Sequence, residues 1–356
     1  MAGRFVQFFP AYPHRATGYN GPMDRPDRSQ KVAVKRWSFA GLLWTYRCNA
    51  RCGCCYLGCS PQAGGDMSIA TGLELWRGLV AANPGGCRVH IGGGEPFLRW
   101  PELIELCRQA RAQGLGPPEA VETNAFWATD PAVIDDRLAQ LDAAGLGRLD
   151  ISCDPYHQQY VPIANVRRLA RAAQDRLGSA RVKVRWRDWL AAGFDTDGLP
   201  EAQRNELFTN YLTKNRERLL GRAAAELADL KPLTPVSAFA DIRCNESLLR
   251  SRHVHVDGQG HVCPGVCAGI VLGVADSAAS VGRLWQALAE GFAGMEVVGV
   301  LASGGPAALA EQAAALGYPP RQGYAGKCHL CWDVRSWLQR HGHYREHLGP
   351  AGVYQE

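Results

Sequence analysis

Residues 42–57 read LLWTYRCNARCGCCYL, an apolar run of strand type that breaks into a loop carrying Cys48, Cys52 and Cys55. Three residues and then two separate successive thiols, and short loops at that spacing fold back so that several thiolates converge on one metal centre. Three ligands on a cluster of four irons leave one iron open, whereas a structural zinc site prefers four protein ligands. The loop is therefore a candidate for a cluster that binds a further small molecule directly.

Outward from this loop, Gly93-Gly94-Glu95-Pro96 follows an apolar strand-like segment at 88–91, at the distance of one strand-helix-strand unit. Glycines let the backbone approach a ligand, and carbonyls and Glu95 can accept hydrogen bonds from an ammonium. By itself the run also suits a turn before the helix that begins near Pro101. Helical patterns at 68–82, 103–112, 134–144 and 166–177 alternate with strand patterns at 88–91, 120–123, 148–153 and 181–189. That alternation predicts an α/β fold of parallel units, whose ligand sites gather at the carboxyl ends of the strands. The cysteine loop, the Gly-Gly-Glu-Pro run, Asn124 and Asp154 all fall at such ends.

The CxxxCxxC loop with the Gly-Gly-Glu-Pro run resembles the signature of the radical S-adenosylmethionine (SAM) enzymes. The resemblance implies a partial (β/α)6 barrel in which Cys48, Cys52 and Cys55 hold a 4Fe-4S cluster and SAM chelates the open iron. It places Gly93, Gly94, Glu95 and Pro96 beside the methionyl amino group, and Ser152 and Asp154 at the ribose. Asn124 lies at the end of the third strand among these groups, and Arg185 is the candidate partner for the SAM carboxylate. Arg181, Lys183, Arg185 and Arg187 alternate with other residues, so one face of the fifth strand is expected to be cationic, either inward or solvated. One departure is plain: Cys54 stands where family members usually carry an aromatic residue, with Tyr56 beyond Cys55.

At 356 residues the chain exceeds one typical domain, and a formal charge of +5 with dispersed cations argues against a nucleic-acid partner. No stretch reads as a signal peptide or membrane span, so a soluble, cytoplasmic protein without a membrane partner is expected. Thirteen cysteines in a reducing compartment suggest ligands more than disulfides. Residues 1–36 read as an extension and 37–235 as the core, with 200–230 as a long helical segment. Pro232 to Pro235 marks the boundary to 236–356.

Beyond that boundary Cys244, a hairpin turning at Asp257-Gly258, Cys263, and then Cys328 and Cys331 make a set of four thiols suited to zinc or an iron-sulfur cluster. The set is similar to the auxiliary-cluster domain called twitch, a shortened SPASM domain, which implies a second 4Fe-4S cluster and a small α+β domain. Cys267 is open to three readings: a further ligand, a catalytic hydrogen-atom donor to a substrate radical, or a buried small residue. The family resemblance implies reductive cleavage of SAM and hydrogen abstraction from a peptide or small-molecule natural product, giving oxidation, cross-linking or epimerisation. Oxidation or cross-linking is favoured over epimerisation, and an electron donor such as flavodoxin or ferredoxin is expected. The rival is a non-catalytic iron-sulfur or zinc protein for electron transfer or partner binding.

Overall fold

The computed structural model describes residues 34–215, 217–291 and 294–355, so most of the expected amino-terminal extension lies outside the described residues. Among these, the strands are β1 (Phe39–Thr45), β2 (Arg88–Gly93), β3 (Ala120–Thr123), β4 (Arg148–Ile151), β5 (Val182–Val184), β6 (His253–Asp257), β7 (His261–Pro264) and β8 (Gly273–Val274). They form one sheet in the order β5-β4-β3-β2-β1-β6-β7-β8. Every pairing from β5 across to β6 is parallel, and the last two are antiparallel.

Helices α1 (Ile69–Ala81), α2 (Trp100–Ala112), α3 (Pro131–Ala143) and α4 (Ile163–Leu177) make the crossovers between the first strands. Their starts are written in the sequence: Ser68 Oγ accepts from the Thr71 amide at 3.0 Å, and Asp130 accepts from Ala132 at 2.8 Å with Pro131 opening α3. The register sorts the strand residues by face. Leu42, Ile91, Val121, Leu149, Val182 and Val256 form one buried apolar row. Burying such side chains stabilises the layer by roughly 1.5–3 kcal/mol each. The opposite face carries His90, Glu122, Asp150, Lys183 and His255, which suits a polar interior and not a second helical layer.

Two expectations fail in detail. The fifth strand is only three residues long, and Arg187 opens α5 (Arg187–Ala192) instead of extending it. Its cations meet carboxylates: Lys183 lies 3.6 Å from Asp150, and Arg181 lies 2.8 Å from Asp142. The long helical segment divides into α6 (Glu201–Asn215) and α7 (Arg222–Glu226). Between them Gly221 has φ 58°, and a Cβ there would overlap the carbonyls of Cys55 and Tyr56. The helix breaks because the chain must press against the cysteine loop.

The remaining helices are α8 (Asn245–Leu248), α9 (Ala278–Glu290), α10 (Glu296–Ser303), α11 (Gly305–Ala314) and α12 (Lys327–Arg340). The hairpin forms where the sequence placed it, with Asp257 Oδ1 accepting from the amides of Gln259 and His261 at 2.9 and 3.0 Å. Its first strand, however, pairs in parallel with β1, so residues expected in a separate small domain extend the main sheet. No described helix is long and apolar enough to cross a membrane.

Candidate active site at the strand ends

The cysteine loop leaves β1 and is held from three sides. From β2, the amides of Gly94 and Glu95 donate to the carbonyls of Thr45 and Arg47 at 2.7 and 2.9 Å. A Cβ on Gly94 would overlap the Arg47 carbonyl, so the glycine is required by the loop itself. From α7, the fully buried Arg222 donates to the carbonyls of Cys52 and Cys59 at 3.0 and 3.1 Å, and its own amide bonds Cys55. From β3, Asn124 Nδ2 donates to Asn49 Oδ1 at 2.8 Å and approaches Cys48 Sγ at 3.7 Å.

Cys48, Cys52 and Cys55 line one groove together with Gly93, Gly94, Asn124, Ser152 and Arg185, all eight of them residues that the sequence assigns to this region. Cys54, Tyr56, Glu122 and His157 line it as well. Backbone donors already point at two of the sulfurs: the Ala50 amide at Cys48 and the Cys59 amide at Cys55, both at 3.4 Å. Burial pushes Cys48 up to about 12 and Cys52 well above the ordinary thiol value. Cys55 goes the other way, to about 6, because the Cys59 thiol donates to it and outweighs its burial.

Three other expected contacts sit differently. Glu95 is buried and its carboxylate is already engaged, accepting from Phe97 N at 3.1 Å, Thr123 Oγ1 at 3.0 Å and Asn124 N at 2.6 Å. It ties the end of β2 to the end of β3, with its carboxyl raised to about 7 by burial against these donors. Pro96 is buried at the first position of a short 3-10 turn, Pro96–Arg99. Asp154, also buried, accepts from the amides of Tyr156 and His157 at 3.0 Å, while His157 Nδ1 stands at 2.8 Å and Arg185 Nη1 at 3.4 Å. Burial opposes its ionisation, yet His157 and Arg185 bring its carboxyl down to about 2. Arg185 also reaches Glu217 Oε1 at 2.7 Å, and Cys54 turns toward Asp154 and His157.

In the carboxyl-terminal region, Cys244, Cys267 and Cys328 each feel the charge of neighbouring thiols. Burial pushes Cys267 up to about 12, and Cys328, Cys331 and Cys244 add to the shift while Arg335 opposes it. Cys244 in turn feels Cys331 and Cys328. Burial and then Asp257 push the Cys263 thiol up, and Arg335 opposes the shift. Cys263 pairs with His255 on β6 and shares its face, whereas Cys267 lies beyond the strand. Cys267 is not among the residues that line the first groove. Arg335, fully buried on α12, donates to Cys331 Sγ at 3.3 Å and to the Ala268 carbonyl at 2.8 Å. Arg222, Arg335 and Thr123 carried no sequence signal, since a partnered buried arginine looks like any other in a helical pattern.

Residues 42–177 match the model of the Radical SAM superfamily. A GTP 3',8-cyclase of Synechococcus elongatus is 32% identical over 123 residues, 34% of this chain, and the chain spans only about a third of that relative's length (35%). Among solved structures, BtrN in complex with AdoMet and 2-DOIA is similar with a TM-score of 0.39 and 17% identity, over 77% of this chain and 90% of that one. A histidine-tagged anSMEcpe with bound AdoMet gives 0.40 and 13%, over 86% and 96%. SuiB of Streptococcus suis bound to S-adenosylmethionine gives 0.32 and 13%, over 67% and 62%. With three thiols, the glycine turn and the β3 and β4 ends on one groove inside the matched span, residues 42–177 of this chain are a radical SAM domain.

Proposed function

We propose that the protein is a radical SAM enzyme acting on a peptide or small natural-product substrate. The observation that carries this reading is the convergence of Cys48, Cys52 and Cys55 on a groove shared with Gly93, Gly94, Asn124, Ser152 and Arg185. The donor set fits an iron-sulfur cluster: three thiols from one loop, two of them met by backbone amides, and no fourth protein ligand supplied by the CxxxCxxC spacing. Burial raises the proton affinity of Cys48 and Cys52, so ligation must release protons from both thiols and is expected to weaken as pH falls. When bound, the cluster and SAM supply reductive sulfonium cleavage and hydrogen-atom abstraction.

The chain's own residues supply position and dryness. Gly93 and Gly94 present bare backbone to the groove, and Ser152 offers a hydroxyl there. Arg185, held between Asp154 and Glu217, is an anchored cation suited to a carboxylate. Asp154 is committed to His157 and Arg185, which favours a role in orienting these two side chains over a direct ribose contact. Within the same reading, Cys244, Cys267, Cys328 and Cys331 are the ligands of a second 4Fe-4S cluster, supported by their mutual electrostatic influence. Oxidation or cross-linking of the substrate, with flavodoxin or ferredoxin as electron donor, is the net chemistry that a second redox centre favours.

The test is anaerobic reconstitution with iron and sulfide followed by SAM and dithionite. 5'-Deoxyadenosine should form, and the Cys48→Ala, Cys52→Ala, Cys55→Ala triple variant should form none. Equal product from both proteins would refute the proposal.

A further inference from the structure

On the polar face of the sheet three histidines meet. His90 comes from β2, and His253 and His255 from β6, with the intervening β1 contributing Gly41. One ring nitrogen from each lies within 4.8 Å of the others. Ring centroids are 5.2 Å apart for His90 and His253, 5.5 Å for His90 and His255, and 4.6 Å for His253 and His255. A Cβ at Gly41 would overlap both His90 and His255, and one at Gly265 would overlap His253. Two glycines thus leave the space that the imidazoles fill.

The cluster is poorly satisfied as it stands. His90 is 4% exposed and its Nδ1 has no hydrogen-bond partner, and His253 Nε2 is likewise without one. Buried polar nitrogens are ordinarily paired, so two orphans in one cluster point to a missing electrophile. Glu122 stands beside them, its Oε1 3.7 Å from His90 Nε2, and the same carboxylate lines the groove. Phe39 stacks on His90 at 4.7 Å.

We propose that His90, His253 and His255 bind a divalent transition-metal ion, zinc foremost, with a water as the fourth ligand. Three imidazoles and one oxygen are a donor set that zinc accepts in tetrahedral geometry, with metal-nitrogen distances of about 2.0–2.1 Å. Small rotations of the rings would bring their nitrogens to the spacing this geometry requires. The ion would bolt β2 to β6 across β1. Buried, neutral imidazole is the ligating form, so binding needs no proton to leave these rings.

The test uses full-length protein whose cysteine sites are loaded anaerobically with iron and sulfide, titrated with Co2+ as a spectroscopic stand-in for Zn2+. One equivalent should bind with visible ligand-field bands and without new sulfur-to-cobalt charge transfer in the near ultraviolet. His90→Gln and His255→Gln should each weaken this binding by about tenfold or more. An absence of binding, thiolate charge transfer, or unchanged affinity in both variants would overturn the assignment. Should a variant fail to fold by circular dichroism, zinc-edge absorption fine structure of the wild type decides. Outer-shell imidazole scattering is expected, and a sulfur shell would refute the site.

Discussion

A buried arginine stands behind each set of thiols, and the two are used differently. Arg222 works on backbone: it grips the carbonyls of Cys52 and Cys59 and so fixes the shape of a loop whose ligands are neighbours in sequence. Arg335 donates directly to Cys331 Sγ, and through Ala268 and Tyr354 it ties together segments that the chain delivers from far apart. A contiguous loop needs its backbone shaped, whereas a dispersed set needs its pieces gathered and its charge balanced.

The sharpest way to break this comparison is at the dispersed set. Cys267→Ser should lose about half of the cluster iron, since one of two four-iron centres goes, while Cys263→Ser should keep it all. The reverse pattern in iron and sulfide analysis would restore Cys263 as the ligand. Next, Arg222→Met should destabilise the protein by about 3 kcal/mol in urea unfolding, because two buried carbonyls lose a charged donor. It should also deplete the first centre while sparing the second.

A comparable effect is expected from Glu95, which braces the loop's side of the sheet. Its folded carboxyl titrates near 7, above the ordinary carboxylate value, so it binds a proton more tightly in the fold. Its contribution is fully present below the unfolded value and is lost as pH rises through 7, an effect on the order of 2–3 kcal/mol. Unfolding of wild type at pH 5 and pH 8 should show that slope, and Glu95→Gln should flatten it. Smallest is the electrostatic role of Arg335: Arg335→Gln removes one positive charge from beside Cys331. The second centre's reduction potential should fall by about 60 mV, the one-electron equivalent of one charge-assisted hydrogen bond of roughly 1.4 kcal/mol. An unchanged potential would make Arg335 a packing residue only.

What could be read in advance was what is written locally. Alternation placed the strands and crossover helices, caps such as Ser68 and Asp130 fixed two helix starts, and the cysteine and glycine motifs fell on one groove. What could not be read depends on where distant backbone arrives. The break at Gly221 exists because the loop's carbonyls are there, and a helical pattern does not know its neighbours. Which face of the sheet Cys263 occupies is decided by the pairing of β7 with β6, which no local pattern carries. Glu95 and Asp154 read as polar groups free for a ligand, yet their oxygens are largely spent on strand ends and on His157.

The parallel pairing of β6 with β1 has a consequence for biogenesis. Tyr46, just after β1, bonds Asp257 at the end of β6, a separation of 211 positions. A ribosome must therefore deliver more than half the polypeptide before the sheet's sixth parallel member can dock, and such long-range closure is slow. The first thiols are also made before Arg222, which holds their loop, so cofactor insertion is expected to wait at least until that helix has been made.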